Sequence, residues 1–223
     1  MRACFIHRGE IRRFSAEYEG DGSEITIFGF QGMGEVNYEK ELNGETSFFE
    51  AAARLSKQGN NVVVCGCTTN ACGHIRKSAV VAEKGKLLGV SDMLHVIDGG
   101  VSCGAALRVY DTQLGRMGVV VADDLKFPEV IKTLTDCGSD FLVCVYEKML
   151  DQVPCVLLRA YAYCYGVPVL FCASGYSVVA DVGGSVEFAS PQSPFCVEVE
   201  TQKQYHLVES RRRGLYTPSR ERD

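Results

Sequence analysis

The chain has 223 residues, 46% of them hydrophobic, and a formal net charge of −5. Its length suits one substantial domain, its apolar content is typical of a packed core, and its negative charge argues against a general nucleic-acid binder. No apolar run reaches the roughly 18 residues that a membrane helix needs. The N-terminal "MRACFIHRGEIRRF" also lacks the apolar stretch of a secretory signal. We therefore expect neither a nucleic-acid partner nor a membrane partner.

The chain contains 11 cysteines, an odd number, and several of them lie inside apolar runs. Examples are Cys144 in "DFLVCV" and Cys172 in "VLFCAS". Free cysteine behaves as a small buried hydrophobe, and free thiols are typical of a reducing compartment. The cysteine content therefore predicts a cytoplasmic protein.

Ten strand-like segments follow one another along the chain, many of them with near-continuous Val, Leu and Ile. Such runs are typical of sheet strands that are covered on at least one face. The segments span residues 24–30, 61–66, 78–83, 107–111, 118–123, 140–145, 167–173, 176–181, 185–189 and 195–200.

Three helices are predicted between these segments, at 47–59, 127–138 and 153–166. The first begins with a capping-box pair, because Ser47 and Glu50 have the spacing at which each side chain reaches a free amide of the other. The other two begin with a proline and end at a glycine, which is the usual order at helix termini. These residues are Pro128 and Gly138 in the second helix, and Pro154 and Gly166 in the third.

Strands and helices alternate from residue 118 to 173, which predicts α/β layering. The region after residue 175 has the pattern of hairpins alone. No linker or internal repeat interrupts the chain. We therefore expect a single domain over 1–223, with a mixed basic and acidic tail at 214–223.

The stretch "GRMGVVVADDLKFPE" at 115–129 resembles the nucleophile segment of the nitrilase superfamily, the carbon–nitrogen hydrolases. That segment has Gly-(Arg/Lys)-x-Gly, an apolar strand, and then Cys-(Tyr/Phe)-Asp-x-x-Phe-Pro-Glu. The matching residues are Gly115, Arg116, Gly118, Asp124, Phe127, Pro128 and Glu129. Ala122 stands where the family has its cysteine. The similarity extends over roughly 24–213, and the N-terminal part is shorter than is usual in the family.

The resemblance implies a four-layer α-β-β-α sandwich, a homodimer packed through helical faces, and a Glu-Lys-Cys site that needs no cofactor. In such a site a thiolate attacks an amide or nitrile carbon, the glutamate moves the proton, and the lysine stabilises the oxyanion. Here Ala122 takes the nucleophile position, Phe30 or Gln31 the acid position, and Asp92 or Met93 the lysine position. We therefore expect a catalytically degenerate homologue, retained to bind an unknown small molecule or for a structural role.

The turn after the strand keeps several polar and aromatic residues that we expect near this site. They are Asp123, Asp124, Phe127 and Glu129, together with Cys144 from the next strand. The simplest interpretation is structural: Asp124 accepts backbone hydrogen bonds, and Phe127 anchors the start of a helix. The alternative is a substitute nucleophile, either Asp123 or Asp124.

Two further hypotheses come from other residues. An active hydrolase of amides or nitriles could have a rebuilt site that uses Cys144, Asp98 or the basic cluster His74, Arg76 and Lys77. A Cys/His metal-binding module would use Cys65, Cys67, Cys72 and His74. Thiolates and imidazoles suit zinc, but this run lacks the separated ligand pairs of ordinary zinc sites, so we expect no metal.

Overall fold

The structure is a computed structural model that describes residues 1–17, 22–97 and 99–202. Within these residues thirteen strands, numbered in chain order, form two sheets. The first sheet contains β1 (Arg2–Ile6), β2 (Ile25–Phe28), β3 (Glu35–Asn37), β4 (Val62–Ala71), β5 (His74–Glu83), β6 (Lys86–Asp92) and β13 (Phe195–Glu198). The second contains β7 (Val109–Thr112), β8 (Gly115–Val121), β9 (Phe141–Tyr146), β10 (Val169–Ala173), β11 (Tyr176–Ala180) and β12 (Val186–Ser190).

The first sheet has the order β13-β1-β2-β4-β5-β6, and β3 also pairs with β4. Strands β1, β2 and β4 run parallel, and the outer pairs are antiparallel. The second sheet has the order β12-β11-β10-β9-β8-β7, with β8, β9 and β10 parallel. The parallel strands of each sheet therefore end at a common edge, and β8 ends there at Val121.

Helices cover the outer face of each sheet. The helices are α1 (Ile11–Glu17), α2 (Tyr38–Leu42), α3 (Phe48–Gly59), α4 (Pro128–Asp136) and α5 (Val153–Tyr165). Helices α1 and α3 pack with the first sheet, and α4 and α5 pack with the second. A third buried cluster joins side chains of both sheets. The fold is therefore the expected four-layer α-β-β-α sandwich.

The strands sort their side chains between the layers with the period of two that a β-strand imposes. In β4, Val62 and Val64 belong to the cluster between the sheets. Cys65 and Cys67 belong to the cluster under the helices of the first sheet. Cys144 of β9 likewise faces the helices of the second sheet.

The start of α3 differs from the predicted capping box. The Ser47 side chain makes no capping hydrogen bond. Instead Glu41 of the preceding helix accepts from the Phe48 amide at 2.9 Å and from the Phe49 amide at 3.3 Å. The predicted starts of α4 and α5 are confirmed, because each has its proline in the first turn.

The prediction of pure hairpins after residue 175 is wrong for the last strand. β11 and β12 form a hairpin, but β13 leaves their sheet and pairs with β1 in the first sheet. The amide of Val199 also donates to the Met1 carbonyl at 2.7 Å. This pairing joins chain segments nearly 200 residues apart, which no local pattern reveals. The tail at 214–223 lies outside the described residues.

Candidate functional site

Ala122 lies at the end of β8, on a sharp turn. It directly follows Val121 and begins a 3₁₀ turn over Ala122–Lys126. Its φ is +48°, a left-handed conformation that is costly for a residue with a Cβ. The side chain is 2% exposed. The backbone is therefore strained at Ala122, and its methyl group lies at the end of the strand. This methyl group also lines a cavity.

This cavity has a volume of about 250 Å³, and Ala122 is part of its lining. The charged cavity, as we call it, is lined by both signs of charge. The ionisable lining residues are Lys77, Asp123, Lys126, Tyr146, Glu147, Lys148 and Asp151, and Leu150, Val153 and Pro154 complete the wall. These residues come from β5, from the turn after β8, and from the stretch that runs from the end of β9 to the first turn of α5.

Two groups of polar contacts organise the charged cavity. The Lys77 Nζ lies 2.5 Å from Glu147 Oε2, and this ion pair joins the two sheets. Asp123 Oδ1 accepts from the Tyr146 hydroxyl at 3.2 Å and lies 3.0 Å from Lys126 Nζ. Burial and the Asp123 carboxylate raise the pKa of Tyr146 well above its usual value. The phenol therefore stays protonated and acts as a donor at neutral pH.

Ala122 also belongs to the buried cluster between the sheets, together with Phe30 and Met93. We call Phe30, Met93 and Ala122 the apolar trio. Phe30 follows β2 in a 3₁₀ turn and packs over Gly66 of β4, where an added Cβ would lie 3.1 Å from the Phe30 backbone. Met93 follows β6, and its amide donates to the Lys77 carbonyl at 2.8 Å. All three side chains are at most 8% exposed.

Asp124 ties the turn after β8 to the segment that carries Met93. Its Oδ2 accepts from the Leu94 amide at 2.9 Å, and its Oδ1 accepts from the His95 amide at 2.9 Å. Burial raises the pKa of this carboxyl, and these hydrogen bonds oppose the rise. These two contacts with backbone amides agree with the structural interpretation of Asp124, in which its carboxylate accepts backbone hydrogen bonds. Asp124 is absent from the cavity lining, whereas Asp123 is part of it.

His95 connects the remaining turn residues, and the sequence analysis missed it. Its Nδ1 lies 3.0 Å from Asp124 Oδ1, and its Nε2 lies 4.0 Å from Glu129 Oε1. Its ring stacks on Phe127 with centroids 4.0 Å apart. The structure thus brings Asp124, Phe127 and Glu129 together around one imidazole. The available signal was its position, two residues after Met93.

A sequence profile of the family described as "Carbon-nitrogen hydrolase" matches residues 22–194. The chain belongs to the carbon–nitrogen hydrolase family. No curated protein sequence matches it. The family assignment therefore rests on the profile, which spans more than half of the chain.

Solved structures of this superfamily share the fold. The nitrilase-superfamily member Nit3 of Saccharomyces cerevisiae is 15% identical, with a TM-score of 0.71 over 100% of this chain and 97% of Nit3. A carbon-nitrogen hydrolase of Helicobacter pylori is 15% identical, with a TM-score of 0.72 over 88% of this chain and 87% of the Helicobacter chain. A cysteine-to-alanine variant of the Nesterenkonia amidase is 16% identical, with a TM-score of 0.69 over 88% of each chain.

The candidates for the family's acid and lysine positions differ in where they lie. Phe30 and Met93 share a buried cluster with Ala122, whereas Gln31 is exposed. Asp92 accepts from the Ser78 hydroxyl at 2.7 Å and lies 4.0 Å from Arg76 Nε. None of these four residues is in the lining of the charged cavity. Phe30 and Met93 therefore share the buried core with Ala122, whereas Gln31 and Asp92 do not belong to it.

The residues of the rebuilt-site hypothesis are scattered, with one exception. Cys144 is fully buried under the helices of the second sheet, and this burial raises the pKa of its thiol well above the usual value. His74 is exposed with its Nδ1 3.4 Å from Ser102 Oγ, and Arg76 donates to the Cys103 carbonyl at 3.3 Å. Lys77 alone of the basic cluster lines the charged cavity. Asp98 lies outside the described residues.

The four metal candidates do not converge. Cys65 and Cys67 are buried behind the first sheet, and burial raises the pKa of both thiols. Cys72 is exposed at the hairpin after β4 and donates to Glu39 Oε1 at 3.6 Å. Within the described part of the chain, no three His, Cys, Asp or Glu side chains are arranged to hold a metal ion.

A helix that crosses a membrane needs a long apolar run. Among residues 1–17, 22–97 and 99–202, no helix is both long and apolar enough to do so.

Proposed function

We propose that this carbon–nitrogen hydrolase homologue is catalytically degenerate and is retained to bind a small molecule. One observation carries the proposal. Of the residues that the family motif leaves open for the glutamate and the lysine, Phe30 and Met93 lie in one buried apolar cluster with Ala122, which takes the cysteine position. These three side chains therefore have no nucleophile, no acid or base, and no positive charge for the reaction.

Each substitution removes a different part of the reaction. The methyl group of Ala122 cannot attack a carbonyl or nitrile carbon. Phe30 cannot take the proton of a nucleophile or deliver it to a leaving amine. Met93 brings no positive charge to an oxyanion. Because the groups of such a site act together, the loss of all three removes the covalent mechanism.

The charged cavity supports retention of binding. It remains open beside Ala122 and keeps ionisable side chains on its wall. A variant of the Nesterenkonia amidase, with a glutamate changed to glutamine and a cysteine changed to alanine, has been solved in complex with acrylamide. In that relative, a ligand is held without either of those two side chains.

The test is turnover and adduct formation by the wild-type protein. We expect no hydrolysis of a panel of short amides, nitriles and esters, and no mass increase of the intact chain. An active hydrolase with a rebuilt site is the alternative, and Lys77 paired with Glu147 in the cavity is the observation that favours it. Hydrolysis abolished by Lys77→Met or by Glu147→Gln would overturn the degenerate proposal and establish the alternative.

We also propose a homodimer that packs through α5. Val153, Val156, Ala160 and Tyr163 are exposed on one face of this helix, at spacings that a helix aligns. Sedimentation velocity is expected to show a dimer for the wild type and a monomer for Val156→Asp. A monomeric wild type at micromolar concentration would contradict this assembly. The cytoplasmic location stays a prediction, which fractionation of the producing cells tests.

A further inference from the structure

The formal charges on the wall of the charged cavity cancel. Lys77, Lys126 and Lys148 oppose Asp123, Glu147 and Asp151. Asp123 is engaged by Lys126 and Tyr146, and Asp151 accepts from the Val153 amide at 2.9 Å. Glu147 and Lys77 instead contact each other, at 2.5 Å. Lys77 and Glu147 are therefore two opposite charges on the wall between which a ligand that carries both charges can insert.

The exposure of Lys77 and Glu147 and the need to keep both of them paired limit which ligand can replace their contact. The side chains of Lys77 and Glu147 are 21% and 47% exposed, so the pair itself contributes little to stability. A ligand with one charge would engage one partner and leave the other unpaired beside the wall. A ligand that carries both charges keeps both Lys77 and Glu147 paired, and an unpaired charge in a confined site is unfavourable.

We propose that the charged cavity binds a small zwitterionic amino acid, with its carboxylate on Lys77 and its ammonium on Glu147. The inference rests on the proposed function, because it names the ligand that the degenerate site retains. The volume of about 250 Å³ lies below the range of pockets for drug-sized ligands, which favours a molecule of few heavy atoms. The methyl group of Ala122 and the side chain of Leu150 offer apolar contact to a short methylene stem.

Five three-carbon probes separate the charges of the ligand. β-Alanine and α-alanine are zwitterions, propionate carries only the negative charge, propylamine only the positive charge, and propionamide neither. We expect calorimetric titration of the full chain to show at least tenfold tighter binding of a zwitterion than of the three others. The alanine isomer that binds more tightly shows which distance between carboxylate and ammonium fits Lys77 and Glu147. Equal or tighter binding of propionate, propylamine or propionamide, or no zwitterion binding, would overturn the proposal.

Three variants assign the binding to the ion pair. Lys77→Met and Glu147→Gln should each weaken zwitterion binding at least tenfold. The matched control is Lys86→Met, which removes an exposed lysine of β6 outside the cavity and should leave binding unchanged. Thermal unfolding checks that each variant is folded. Unchanged binding in both cavity variants, or an equal loss in Lys86→Met, would contradict the assignment to Lys77 and Glu147.

Amide turnover, measured in the same samples, keeps the two proposals distinct. Hydrolysis of propionamide by the wild type would overturn the proposed function, whatever the zwitterions do. Binding of propionamide in preference to both alanines, without hydrolysis, would overturn the zwitterion inference and leave the proposed function standing.

Discussion

Two regions meet at Ala122, and they differ in chemical character. The apolar trio of Phe30, Met93 and Ala122 is buried in the core between the sheets. The charged cavity in front of Ala122 is lined by lysines and carboxylates, with Glu147 and Lys77 paired across the sheets. The difference separates the positions matched to the family's reacting groups from the polar wall that we propose to bind a ligand. The apolar trio has no reactive group, whereas the charged cavity keeps its lysines and carboxylates.

The largest expected difference between the two regions is in stability. Phe30→Ala removes a buried aromatic ring from the trio and should lower the free energy of unfolding by about 3 to 5 kcal/mol. Tyr146→Phe is the matched change in the charged cavity, since it removes only a hydroxyl that donates to Asp123. It should cost about 1 kcal/mol. Urea unfolding measures both, and similar losses would remove the distinction between a structural core and a binding wall.

Asp124 links the two regions, and its removal should have the next largest effect. Asp124→Ala leaves the amides of Leu94 and His95 without their acceptor, which should cost about 2 kcal/mol or more. Asp124→Asn keeps one carboxamide oxygen as acceptor and should lose less. Chemical denaturation of the two variants gives the comparison. An alanine variant as stable as the asparagine variant would mean that these hydrogen bonds do not hold the turn.

A smaller effect is expected from the ion pair of the charged cavity. Because both side chains are partly exposed, Lys77→Met should change the free energy of unfolding by less than about 1 kcal/mol. The same protein samples should lose zwitterion binding. A loss of stability above about 2 kcal/mol would make Lys77 a structural residue and would weaken its assignment to a ligand.

The smallest expected effect is a pH dependence that arises away from both regions. His7 is buried directly after β1, where its Nε2 lies 2.7 Å from the Gln192 carbonyl, and among the described residues its Nδ1 has no hydrogen-bond partner. Burial lowers the pKa of His7, and the Arg8 charge adds to this. The unfolded chain therefore binds the proton more tightly, so stability falls as the pH drops below about 6.5.

His7→Gln tests this pH dependence, because glutamine keeps a donor for the Gln192 carbonyl but does not titrate. The variant should lose less stability than the wild type between pH 7.5 and pH 5.5. Urea unfolding at the two values measures the loss. An identical pH dependence in both proteins would assign the acid sensitivity to groups other than His7.

Local patterns predicted the parts of the fold that local physics controls. The apolar runs of β4, β8 and β9 and the prolines of α4 and α5 are confirmed by the structure. β1, β3 and β6 were not predicted, because their short or mixed sequences become strands only through pairing with neighbours. The cap of α3 was assigned to Ser47 because the motif is local, whereas the actual acceptor, Glu41, comes from a preceding helix.

Local sequence patterns likewise predicted only part of the candidate site. The motif at 115–129 led to Ala122, but motif matching alone left Phe30 or Gln31 and Asp92 or Met93 open by one residue. In each pair one residue is buried in the core and its neighbour is not, since Gln31 is exposed and Asp92 is half-buried. An uncertainty of one residue therefore exchanges an apolar core side chain for a polar one outside the core. The pairing of Lys77 with Glu147 joins residues 70 positions apart on different sheets, and only the fold brings them together.

The most direct test of the central claim is the chemistry of Ala122→Cys. A thiol attacks as its thiolate, and its ordinary pKa is about 8.5 unless a neighbouring charge lowers it. Because we propose that Phe30 and Met93 take the places of the family's acid and lysine, we expect the introduced thiol to alkylate at a rate that still rises with pH beyond 8. We also expect it to form no acyl adduct with short amides. Peptide mapping by mass spectrometry separates its alkylation from that of the exposed Cys72, Cys103 and Cys137. A rate that levels off below pH 7, together with an acyl adduct at position 122 and amide turnover, would contradict the account.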